Sequence, residues 1–131
     1  MSIFQDFTIA CRDGDVETVR NLVNNGVDPS YFNNKGIRVA SEKGHACVVR
    51  LLLEDPRVDP SCNDNSSILW ASREGHVEVV RLLLQDPRVD PTVCDNLAIQ
   101  IAGIYGHTDV AQLLTEHMYR LDGPEYNKNI L

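Results

Sequence analysis

The apolar positions of this chain return in step. Val48-Val49-Arg50-Leu51-Leu52-Leu53 and Val79-Val80-Arg81-Leu82-Leu83-Leu84 carry one pattern twice, 31 residues apart. Ahead of each run lies a second apolar set at one-turn spacing, Ile37 and Ala40 in one copy, Ile68 and Ala71 in the other. Gly44-His45 and Gly75-His76 close those sets. After each run comes Asp-Pro-Arg-Val-Asp-Pro and then Asp64-Asn65 or Asp95-Asn96. The register carries forward to Ile99, Ala102, Gly106-His107, Val110 and Leu113-Leu114. It carries backward, with one residue fewer in the connection, to Ala10, Gly14, Val19, Leu22 and Val27-Asp28-Pro29. The chain therefore divides into four units, about 2–30, 35–61, 66–92 and 97–118, with a tail at 119–131. A fixed period of this length marks a stacked solenoid.

Each unit reads as two short helices. The first stops at a glycine, which takes the left-handed conformation of a helix C-terminus without strain. The second spans 77–85 in the third unit, where Val79, Val80, Leu83 and Leu84 form a broad apolar stripe. Pro87 ends it, because helix is disfavoured at the residue before proline. In the first unit Asn25-Gly26 provides the stop. Helices this short do not hold alone in water, so each pair must bury its stripe against the next. The end units carry polar replacements that suit caps. Asn21 stands where Leu51 and Leu82 do, and Thr108, Ala111 and Thr115 stand for Val77, Val80 and Leu84. The tail contains Gly123-Pro124 and is expected to leave the array.

Composition narrows the classes of function. The formal charge is −7, and lysine and arginine are scattered, which disfavours a phosphate backbone or an anionic membrane as partner. No apolar run approaches the ~18 residues of a membrane span. The opening MSIFQDFTIACRDGD lacks a basic n-region and a long apolar stretch, so no secretory signal is expected. Cys11, Cys47, Cys62 and Cys94 include no Cys-x-x-Cys pair and are expected as free thiols in a reducing compartment.

The candidate chemistry is sparse. His45, His76 and His107 sit one unit apart, roughly 10 Å between neighbours if helices pack side by side. They cannot share one zinc ion, and each is expected to bond backbone at the turn between its two helices. Asp28, Asp59 and Asp90 lack calcium-loop spacing and are expected to bond their own turns. Cys11 reads as core and Cys47 as solvent-facing. No phosphate loop, Gly-x-Ser-x-Gly or His-Glu-x-x-His is present, and no cofactor or metal is expected. Trp70 reads as a packed core residue and Tyr31-Phe32 as a seal over the shortened first connection. Ile104-Tyr105 replaces charged pairs in the other units. It is either a contact site or a patch covered by Tyr119, Leu121 and Tyr126 of the tail.

The stretches ASREGHVEVVRLLLQ at 71–85 and ASEKGHACVVRLLLE at 40–54 resemble the core of the ankyrin repeat. The resemblance covers about 115 residues, and the family's Thr-Pro-Leu-His opening is missing from it. It implies an all-α ankyrin-repeat solenoid of four helix-turn-helix units, with hairpin loops shortened toward turns. It also implies a non-enzymatic protein-binding module, a scaffold or adaptor, gripping through a concave face. By that analogy the contact residues are Arg12, Asp13, Asn33, Asn34, Glu42, Lys43, Asp64, Asn65, Arg73, Glu74, Asp95, Asn96, Ile104 and Tyr105. The expected partner is another protein, with no nucleic acid or membrane, and the expected state is a cytoplasmic monomer. The alternatives are a self-associating structural protein and an inhibitor-type binding fragment.

Overall fold

The computed structural model describes residues 2–130, with side chains through Tyr119. Its elements are eight helices: α1 (Ile3–Asp13), α2 (Val16–Asn24), α3 (Tyr31–Lys43), α4 (Ala46–Leu53), α5 (Cys62–Glu74), α6 (Val77–Leu84), α7 (Val93–Ile104) and α8 (Thr108–Ile130). There is no strand among the described residues. The odd-numbered helices pack side by side in one layer and the even-numbered ones in a second, so the four expected pairs stack in order. The tail expected from 119 onward is helical in backbone as part of α8. Its side chains from 120 on, with the expected cover by Leu121 and Tyr126, lie outside the described residues.

The repeat explains the core. Ile37, Ile68, Val48, Val49, Val79, Val80, Leu52 and Leu83 are buried, and the end units extend the same seam with Val19, Val110 and Leu114. Asn21 and Thr108 are exposed, as polar ends require. Gly14, Gly44 and Gly75 close α1, α3 and α5 at φ 76, 81 and 78°, with their N–H groups on the last carbonyls of the helix. Cys11 is fully buried, and burial pushes its thiol up to about 12, out of nucleophilic range. Cys47 is exposed, as expected.

The connections are turns built around acid side chains. Asp28, Asp59 and Asp90 each accept from the backbone N–H and the hydroxyl of the residue two positions on, Ser30, Ser61 or Thr92. In the Asp-Pro-Arg turns the Arg57 side chain grips both carboxylate oxygens of Asp55, and its N–H bonds Oδ1 as well. Arg88 does the same to Asp86. The arginine side-chain bonds, opposed by burial and helped by the backbone N–H, hold both carboxyls below their usual 3.8. A carboxyl depressed in the folded state contributes fully above the unfolded value and loses that contribution as pH falls through the folded value. The melting temperature is therefore expected to drop below about pH 4. The Asp55→Asn/Asp86→Asn variant should drop less steeply on the same thermal scans. Parallel pH curves would show that these turns contribute nothing to acid sensitivity.

Candidate interaction face

The loop tips share an unusual backbone. Three successive residues are left-handed in each: Phe32-Asn33-Asn34, Asn63-Asp64-Asn65 and Cys94-Asp95-Asn96, with φ between 54 and 64°. Asparagine and aspartate tolerate this region because their short polar side chains bond locally, which explains most of the tip composition. In the first tip Arg38 donates to the carbonyls of Asn33 and Phe32 at 2.9 and 3.1 Å. In the last, Gln100 donates to the carbonyl of Asp95 at 2.6 Å.

The third residue of each tip faces inward. Asn34 and Asn65 are buried. Asn34 Oδ1 accepts the backbone N–H of Asp59 at 2.8 Å, and Asn65 Oδ1 accepts that of Asp90 at 2.9 Å. Each bond ties one tip to the loop of the next unit. Asn96 Oδ1 is also buried, with no hydrogen-bond partner among the described residues. Of the expected contact residues Asn34, Asn65 and Asn96, the first two are thus buried and bonded across units, whereas Asn96 is half-buried and makes no such bond. Asn33, Asp64 and Asp95 remain exposed at the tips.

The histidines also work between units. His45 Nε2 lies 2.8 Å from the carbonyl of Arg12, His76 Nε2 2.9 Å from that of Glu42, and His107 Nε2 2.9 Å from that of Arg73. A carbonyl only accepts, so each Nε2 carries the proton. The bonded backbone is the end of the preceding unit's first helix, a correction to the expected bond within the unit's own turn. The ring fills the space left by the missing side chain of the previous unit's glycine, His45 over Gly14, His76 over Gly44 and His107 over Gly75. Among the described residues, no group of three or more His, Cys, Asp or Glu is placed to hold a metal.

Beyond the tips, the exposed ends of the odd-numbered helices carry the other candidates. Arg12 pairs with Asp13 at 3.0 Å, and Arg73 lies 3.7 Å from Glu74; all four are open to solvent, where such pairs contribute little. Lys43 is exposed and Glu42 half-buried. Ile104 and Tyr105 are 78% and 51% exposed. The Arg73 guanidinium stands 5.1 Å from the Trp70 ring centre and 5.2 Å from that of Tyr105. Arg73 Nε donates to the Tyr105 hydroxyl at 3.3 Å. Tyr105 first, and Glu74 and Glu42 after it, raise the arginine further above its usual value.

Trp70 corrects a second expectation. It is 39% exposed, not packed in the core. Val39 and Ile101, its counterparts, are also half-buried, so a larger ring at this position must protrude. The clue in the sequence was the size difference at a position only partly covered in every unit.

A family model described as ankyrin repeats (3 copies) matches residues 7–95. The chain belongs to the ankyrin-repeat family. The all-helical stack agrees with the fold expected from that resemblance, and α7 with α8 adds a fourth helix pair beyond the matched span. Ankyrin repeats are generally protein–protein interaction modules, and the family is typically non-enzymatic. No curated protein matches this ankyrin-repeat chain. Among its described residues no helix is long and apolar enough to cross a membrane.

Proposed function

We propose that this ankyrin-repeat chain is an adaptor that binds a protein partner through its loop tips and the exposed ends of α1, α3, α5 and α7. The observation that carries this reading is the cluster of Trp70, Arg73 and Tyr105, with exposed Ile104 next to Tyr105 in the chain. Large aromatic and arginine side chains dominate binding energy at protein interfaces, and here they stand together in solvent. Arg12, Asp13, Glu42, Lys43 and Glu74 form a charged surround along the same helix ends. The tips contribute Asn33, Asp64 and Asp95. A surround of this kind sets register and selectivity more than affinity. The chain's acidity and its scattered cations favour a protein partner over a nucleic acid or an anionic membrane. A monomer in the cytoplasm, with reduced thiols, completes the reading.

Affinity capture from a matching lysate, with Tyr105→Ala alongside, tests it. A partner retained by the native chain should be held at least tenfold more weakly by the variant, as expected for an anchor side chain. A specific partner held equally by both forms would place the contact elsewhere. Light scattering across a concentration series addresses the competing self-association reading: a mass that rises with concentration would favour it.

A further inference from the structure

The first loop tip departs from the others at Asn33, where both hold aspartate, and at Phe32. Phe32 adopts φ 56° and ψ 55°, where the matching positions hold Asn63 and Cys94. A bulky side chain in this region is strained, and it lacks the local hydrogen bonds that let asparagine sit there. Burial does not offset the strain, since Phe32 is 61% exposed. Tyr31 stacks on Phe4 with ring centres 3.9 Å apart and planes 13° from parallel. Phe32 stands tilted beyond that stack, 5.8 Å from the Tyr31 ring. A strained aromatic left mostly in solvent points to function.

Phe32 borders a groove of about 490 Å³ between the start of α1 and the first tip. Phe4, Ile9 and Tyr31 supply its other apolar walls, and Lys35 is its sole charged lining residue among the described residues. The ammonium of Lys35 lies 5.3 Å from the Phe32 ring centre and pairs with no carboxylate among the described residues. Arg12, Arg20, Arg57, Arg73, Arg81 and Arg88 are each beside an acid of their own segment, while Arg38, Lys43 and Arg50 share Lys35's lack of one. The groove thus combines an apolar cleft of ligand size with a cation at its edge that no carboxylate pairs among the described residues.

We infer that this groove, separate from the Trp70–Tyr105 cluster, docks a peptide segment of a partner protein carrying a leucine-sized or aromatic side chain next to a carboxylate. The apolar side chain enters between Phe4 and Phe32, and the carboxylate meets Lys35. The inference rests on the protein-binding reading only in its choice of ligand class. The test uses NMR titration of the isotope-labelled full chain with two peptides, acetyl-Gly-Leu-Phe-Glu-Asp-Gly-amide and the same peptide with two lysines for its acids. The acidic peptide should shift the signals of Phe4, Tyr31, Phe32 and Lys35, binding at least tenfold more tightly than the basic one. Lys35→Glu should reverse that preference. Phe32→Asn should weaken binding at least tenfold while melting at or above the native temperature. Tyr105→Ala should leave peptide binding unchanged, which separates this site from the proposed adaptor face. No binding of either peptide at millimolar concentration, equal binding of the two, or a lowered melting temperature in Phe32→Asn would overturn the inference.

Discussion

Gly75→Ala is expected to cost about 3 kcal/mol of stability, and Gly106→Ala only about 1 kcal/mol. The two positions share a backbone, with φ 78° at both, so the strain of placing an L side chain there is common to both substitutions. They differ in what lies above. A Cβ on Gly75 would sit 2.5 Å from Nδ1 and 2.6 Å from Cε1 of His107, whereas at Gly106 nothing lies within 4 Å. The His107 ring cannot withdraw without giving up the Arg73 carbonyl at 2.9 Å. Losing that bond adds about 1 kcal/mol, and displacing a packed ring adds a similar amount. Urea denaturation of the two variants measures the difference. In the double variant Gly75→Ala/His107→Ala the clash is gone, so its loss should fall short of the summed single losses by about 2 kcal/mol. Equal costs at the two glycines, or simple additivity, would mean that the histidine does not close the space over the glycine before it.

That glycine–histidine pairing shows where the sequence was legible and where it was not. The helices could be read because their signals are local: an apolar stripe every turn, a glycine stop, and a period that brings both back. The free thiol at Cys47 and the buried one at Cys11 followed from their places in that pattern. The histidines were read as turn residues because a side chain's nearest backbone in sequence is its own turn. Their actual partners lie 33 or 34 residues away and come close only once the pairs stack. The same limit misplaced Asn34 and Asn65. A polar residue in a loop reads as exposed, and only the left-handed turn before it aims the side chain inward. Phe32 marks the opposite case. Alignment placed an aromatic beside Asn63 and Cys94, and a seal was the natural reading. The backbone dihedrals and the exposure together set Phe32 apart from Tyr31, which stacks on Phe4.

Alanine at the three tip asparagines separates backbone conformation from stacking. Asn34→Ala and Asn65→Ala are each expected to cost about 2–3 kcal/mol, and Asn96→Ala at most about 1 kcal/mol. All three residues are left-handed, with φ 57, 61 and 64°, so replacing any of them by alanine carries a similar conformational penalty. At Asn34 and Asn65 the substitution also strips the acceptor from the Asp59 or Asp90 N–H, and with it the bond that joins one loop to the next. An N–H left without its partner in a half-covered site costs about 1–3 kcal/mol. Asn96 has no such bond to lose. Its Oδ1 is already desolvated and unpaired, so deleting it removes a standing cost that offsets part of the strain. Guanidinium titration of the three variants ranks them directly. If Asn96→Ala loses as much as the other two, the tips are held by their own backbone preference, and the cross-unit bonds do not lock the stack.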